Sequence, residues 1–202
     1  RPDDGRGSGV PAQTGRHEVN TAPPRIQLAD DLEVSRLVTG LWQVADMERS
    51  GRPLDSESTS AVLADYARSG FDTFDMADHY GSAELITGAL MARARRGEIA
   101  SIKPVAFTKW CPTPGPMTAQ TVRAGVEERL KRLGVDCIDL LQLHWWSFEH
   151  LSYLDALAEL VRLRDAGLIR HLGVTNFDAL HLDLLAAHGL PVLTNQVSFS
   201  VL

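Results

Sequence analysis

The sequence predicts an α/β chain folded as a parallel (β/α)₈ barrel of the TIM type, with about six of the eight strand–helix units present. Three observations point there. From residue 37 onward, six short apolar runs alternate with five stretches of helical periodicity, the rhythm of a parallel sheet with right-handed crossovers. No Gly-x-Gly-x-x-Gly follows the first strand, so the phosphate fingerprint of an open dinucleotide-binding sheet is missing. Strand after strand also ends on a polar residue, at Asp75, Lys109, His144, Thr175-Asn176 and Gln196. That suits a barrel, whose chemistry gathers at the C-terminal ends of its strands.

Residues 1–24 are rich in Gly, Pro, Arg and polar groups without periodicity, and are expected to form a disordered tail because they offer too little apolar surface to order themselves. Residues 25–202 are read as the partial barrel domain. Residues 25–28 and 32–36 flank Ala29-Asp30-Asp31 and suggest a hairpin capping one end. Residues 37–42 read as the first core strand. A polar loop through Pro53 follows, then a helix over 55–69 that Asp55 would cap, with Glu57 favourable near its N-terminus. Strand 71–76 precedes helix 82–96, where Leu85, Ile86, Ala89 and Leu90 recur at helical spacing. Strand 104–110 leads through Pro112, Pro114 and Pro116 into helix 118–133. Residues 138–144 have the near-continuous apolar character of a strand buried on both faces. Helix 153–166, strand 169–176, helix 179–188 and strand 192–199 complete the order.

Bulk properties narrow the function classes. A chain of 202 residues with 44% hydrophobic and 23% charged residues fits one globular domain with a substantial core. A net charge of −6 argues against a general nucleic-acid surface, although a local phosphate site is compatible with it. Cys111 and Cys137 are too few for a disulfide framework and suggest a reducing compartment. No apolar run approaches the ~20 residues needed to span a bilayer, so a soluble, cytoplasmic chain is expected. Arginines near the start leave an organelle such as a plastid open, while Asp3, Asp4 and Glu18 are unfavourable in a transit peptide. Nothing in the pattern sets the oligomeric state.

The most informative stretch is residues 70–88, GFDTFDMADHYGSAELITG. A strand carrying Asp75 ends on a polar turn with Tyr80, and a helix begins almost at once. A carboxylate at the end of an apolar strand is costly without a partner. Lys109, delivered by Phe107-Thr108, would supply the opposite charge. His144 ends Leu140-Leu141-Gln142-Leu143 on the same side as Gln142. No Cys or His stands near it at metal-ligand spacing, so no metal is expected. His79, His150, His171, His181 and His188 receive no role.

Together these motifs resemble the aldo-keto reductase family. The signature Asp-x-Ala-x-x-Tyr-Gly-x-x-Glu-x-x-x-Gly is carried by Asp75, Ala77, Tyr80, Gly81, Glu84 and Gly88, with Met76 where Thr or Ser is commoner. Phe107-Thr108-Lys109, Leu141-Gln142-Leu143-His144, Gly173-Val174-Thr175-Asn176-Phe177 and Asn195-Gln196 follow in the family's order. The resemblance implies a catalytic tetrad of Asp75, Tyr80, Lys109 and His144, and NADPH-dependent reduction of a small-molecule aldehyde or ketone. Tyr80 would give the proton, Lys109 would favour its ionisation, Asp75 would hold Lys109, and His144 would orient the carbonyl oxygen.

By the same resemblance Thr175, Asn176 and Gln196 would hold the nicotinamide carboxamide. Gly40 and Trp42 would lie against the cofactor and pocket, and Trp110, Trp145 and Trp146 could form apolar walls. The alternative is a non-catalytic nucleotide-binding regulatory subunit of the same fold. With six of eight units, the chain reads as a C-terminally truncated fragment of a longer enzyme, expected on its own to bind NADPH weakly.

Overall fold

The computed structural model describes residues 22–99 and 101–200; most of the expected tail lies outside them. The described chain starts on the domain: Pro23 is buried, and the Pro24 carbonyl accepts a hydrogen bond from the Arg36 amide at 2.8 Å. Strands β1 (Arg25–Ala29) and β2 (Leu32–Ser35) form an antiparallel hairpin. The other six strands are β3 (Thr39–Gly40), β4 (Thr73–Asp75), β5 (Val105–Trp110), β6 (Ile138–His144), β7 (Ile169–Thr175) and β8 (Thr194–Gln196). They pair in parallel in chain order, β3-β4-β5-β6-β7-β8.

Helices α2 (Ser56–Arg68), α3 (Ala83–Arg95), α4 (Ala119–Leu133), α5 (Tyr153–Asp165) and α6 (Ala179–Ala187) fill the crossovers. Their starts are written in the sequence. Asp55 accepts from the Ser58 amide at 2.8 Å, Thr118 from Thr121 at 3.2 Å and Asp178 from His181 at 2.9 Å, each satisfying a helix-end donor. Gly134 ends α4 in the left-handed region at φ 63°.

The expected strand over 37–42 is corrected to two residues, and the expected loop after it holds a helix, α1 (Trp42–Met47). Leu41 and Val44, three apart, both bury in the core, and that anchors a helical turn where composition suggests a loop. Leu37 and Val38 are left exposed at the sheet edge. The last strand is likewise Thr194–Gln196 rather than 192–199. It too has one neighbour, and Val197 and Phe199 beyond it are exposed.

The sheet is curled. Gln196 on β8 donates to Asp75 on β4 at 3.3 Å, although four strand spacings of a flat sheet would separate them by about 19 Å. Alternation along β5 then sorts its side chains. Ala106, Thr108 and Trp110 face the helices, while Val105, Phe107 and Lys109 face the interior. At the strand starts the hairpin closes that interior with Leu32 and Val34 packed on Val105, Phe107 and Leu140. At the strand ends the inward face turns polar. On the helix side, a Cβ on Gly125 of α4 would come within 2.5 Å of the Trp110 indole, so only glycine lets this helix lie so close.

Candidate active site

Asp75, Lys109, His144, Thr175 and Gln196 come from the ends of five adjacent strands. Lys109 is 3% exposed, and its Nζ lies 2.7 Å from both carboxylate oxygens of Asp75 and 3.0 Å from the Met76 carbonyl. A buried ammonium with three acceptors is a satisfied one. Gln142 adds a link: its amide donates to Gln196 Oε1 at 3.0 Å and reaches Asp75 at 3.5 Å.

Tyr80 sits on the turn after β4, half-buried, with Lys109 Nζ 5.3 Å from its ring centroid. That turn needs glycine next: Gly81 has φ 55°, and a Cβ there would lie 2.0 Å from Glu48 Oε2. Trp42 and His79 meet the Tyr80 ring edge-on at 5.0 and 4.8 Å. The His144 ring packs on Trp146 at 4.1 Å. Tyr80, Lys109, His144, Thr175, Asn176 and Gln196 line one cavity of about 180 Å³. Asn176 stands there in the left-handed region at φ 57°, where asparagine is among the residues that settle most readily.

Two buried polar atoms at this cavity, His144 Nδ1 and Thr175 Oγ1, have no hydrogen-bond partner. Buried polar groups are ordinarily satisfied, so each exception needs an account. Electrostatics correct one expectation. Burial, followed by the Asp75 carboxylate, pushes the Tyr80 phenol up to about 12, where the sequence suggested that Lys109 would ease its ionisation. The ammonium is bound to Asp75 at 2.7 Å. Burial, with His79 and Lys109 nearby, lowers His144 below the usual histidine range, so its imidazole is neutral at pH 7.

The remaining candidates are placed differently. Gly40 lines a neighbouring cavity of about 360 Å³ with Asp75, Gln142 and Gln196. Trp42 opens α1 beside Tyr80. Among the expected walls, Trp110 and Trp145 are core residues, and the Trp145 indole donates to the Ser147 carbonyl at 2.8 Å. Trp146 is 64% exposed and forms the rim. The Asn195 side-chain amide clasps the Phe177 backbone, accepting from its N–H at 3.2 Å and donating to its carbonyl at 2.8 Å. His79, given no role from sequence, joins the aromatic cluster. A further cavity of about 680 Å³ lies at the hairpin end, where Arg25 already pairs with Asp72 at 2.9 Å and Glu33 at 3.1 Å.

Behind the site, Glu84 of α3 is fully buried. It accepts from Thr108 Oγ1 at 2.7 Å, Arg129 Nε at 2.9 Å and Arg132 Nε at 2.8 Å. Arg132 also donates to the Gly81 carbonyl at 2.6 Å, which ties the Tyr80 turn to α4.

A curled parallel sheet whose polar strand ends surround one cavity defines a (β/α)₈-type site. Residues 36–202 match the Aldo/keto reductase family, and the chain belongs to that family. It is 29% identical over 164 residues to an aldo-keto reductase of Mycolicibacterium vanbaalenii, covering 80% of this chain and 52% of the relative. It is 32% identical over 199 residues to a 6-dehydroglucose reductase of Agrobacterium fabrum, covering 88% and 62%. An aldo-keto reductase of Bombyx mori solved in complex with NADP superposes with a TM-score of 0.70 at 22% identity, covering 88% of this chain and 59% of that one. The chain thus spans between half and two thirds of the length of these relatives. Among the described residues, no helix is long and apolar enough to cross a membrane.

Proposed function

We propose that the chain carries the reductive site of an NADPH-dependent oxidoreductase that converts aldehydes or ketones into alcohols. The supporting observation is the shared cavity in which a phenol, a neutral imidazole and a paired ammonium stand beside polar atoms without partners. The donor set fits a nicotinamide: the Thr175 hydroxyl and the amides of Asn176 and Gln196 offer both donors and acceptors to a carboxamide. Gly40 and Trp42 are proposed to border it. The NADP in the Bombyx mori relative favours NADPH. When bound, that cofactor supplies a hydride.

The chain's own residues handle the proton. At about 12, the Tyr80 phenol is protonated throughout the neutral range. The oxygen it must serve becomes an alkoxide, whose conjugate acid is about as weak as water and far weaker than a phenol. Transfer from phenol to alkoxide therefore runs downhill. The phenol need not be acidified further. Asp75 and Lys109 fix a cation under the ring, and the neutral His144 donates one N–H to the same oxygen as charge develops. Trp42 and Trp146 at the rim limit water.

Replacing the donor gives the largest catalytic loss. Tyr80→Phe is expected to lower kcat for a small aldehyde by about 10²–10⁴-fold, with KM little changed. Steady-state turnover equal to that of the unmodified protein would overturn the reading.

A further inference from the structure

One cluster of metal-ligating side chains lies outside the reductive machinery. Asp78 and His79 follow β4, and Cys111 follows β5; their ligand atoms all lie within 4.8 Å of one another. Among the described residues this is the one group of three such donors. The backbone brings them together. The Asp78 amide donates to the Lys109 carbonyl at 3.0 Å, and Asp78 Oδ2 accepts from the Cys111 amide at 2.8 Å, so the two strand ends are tied on either side of the cluster.

We propose that Asp78, His79 and Cys111 form a binding site for a borderline-soft divalent cation, with Zn²⁺ the ion that fits best. His79 Nδ1 and Asp78 Oδ1 stand 3.0 Å apart. Two ligand atoms on a tetrahedral zinc, each about 2.0 Å from the metal, stand about 3.3 Å apart, so this pair is nearly at chelating separation. Cys111 Sγ needs a shift of only about an ångström to complete the triangle, since zinc–sulfur bonds run to about 2.3 Å. A thiolate, an imidazole and a single carboxylate select zinc over magnesium or calcium, which require oxygen shells.

The surroundings permit a dication. Asp75, Asp78 and Glu84 balance Lys109, Arg129 and Arg132, with Arg129 3.8 Å from Asp78 and held by Glu84. His79 is exposed, which leaves a path from solvent and room for a water as fourth ligand. On coordination the Cys111 S–H proton passes to solvent, a sulfur–metal bond forms, and the shared proton between His79 and Asp78 is displaced to Nε2. A bound ion would also fix the His79 ring against Tyr80, 4.8 Å away.

The test reads binding alone, so it stands or falls separately from the reductase reading. The purified protein is titrated with Co²⁺, and the thiolate-to-cobalt charge-transfer absorption is followed. One equivalent should saturate the band, Cys111→Ser should abolish it, Cys137→Ser should keep it, and His79→Gln should weaken binding about 10–100-fold. No band at stoichiometric Co²⁺, or a band that survives Cys111→Ser, overturns the site. A second measurement needs no variant: Zn²⁺ should slow iodoacetamide labelling of Cys111 about tenfold or more and leave Cys137 unaffected, by peptide mass mapping. Equal or absent protection at the two cysteines overturns it.

Discussion

Thr108 and Lys109 are neighbours on β5, yet their side chains enter different buried charge clusters on opposite faces of the sheet. Thr108 points to the helices and joins Glu84, Arg129 and Arg132, where each Glu84 oxygen has a donor and Arg132 has a carbonyl to spare. Lys109 points inward to Asp75, Gln142 and Gln196, beside His144 Nδ1 and Thr175 Oγ1, which have no partner. Both clusters place ions out of water, which is costly unless charge and hydrogen bonds offset it. One is saturated and faces packed helices. The other is left open at a cavity. Between these two clusters the difference lies in hydrogen bonds left open at the cavity, more than in burial or charge, although Thr87 and Tyr153 also keep unpartnered hydroxyls in the packed interior.

That contrast can be broken by substitution. Glu84→Ala strands two guanidinium groups, Arg129 buried and Arg132 partly so, and should cost about 3–5 kcal/mol of stability by urea denaturation. A loss below about 1 kcal/mol, the size of an exposed pair, would show that the outer cluster is not structural. The double change Asp75→Leu with Lys109→Met removes both charges together. Its stability should be unchanged or higher by up to about 4 kcal/mol, while aldehyde turnover is lost. A destabilisation as large as that of Glu84→Ala would erase the distinction between the clusters.

The smallest effect is a pH dependence. The folded Tyr80 sits at about 12, above the ordinary phenol value of about 10. Between those values the folded chain keeps a proton that the unfolded chain has given up, so stability falls as pH rises from about 10 through 12. Urea midpoints taken near pH 9 and pH 11 should therefore differ less in Tyr80→Phe than in the parent protein. An identical drop in both would place the phenol's titration outside the folded interior.

Much of the fold was legible because its signals are local. Apolar strands such as Ile138–His144, and the cap at Asp55, depend on residues within a few positions of one another, while the equally local caps at Thr118 and Asp178 are additions of the structure. The first strand and α1 were misread because Leu41 and Val44 are anchored by the core, which outweighs a loop-like composition. At the site, the motifs placed Asp75, Tyr80, Lys109, His144, Thr175 and Gln196 around one interior. What they omitted lies across the sheet. Cys111 meets Asp78 from 33 positions away, and no spacing rule reports a contact between the ends of neighbouring parallel strands. One overlooked signal was available. In α4 the buried stripe runs Val122, Val126, Arg129, Leu133, and an arginine in an apolar stripe announces a buried acid.

The indole of Trp110 resting on Gly125 has a bearing on chemistry well removed from it. Trp110 directly follows Lys109, so the bare backbone of a helix packs against the strand that carries the buried ammonium. A single methyl at that helical position would meet the indole at 2.5 Å, so the helix or the ring would have to give way. The spacing between that helix and the sheet is therefore set by a missing side chain on the far side from the cavity.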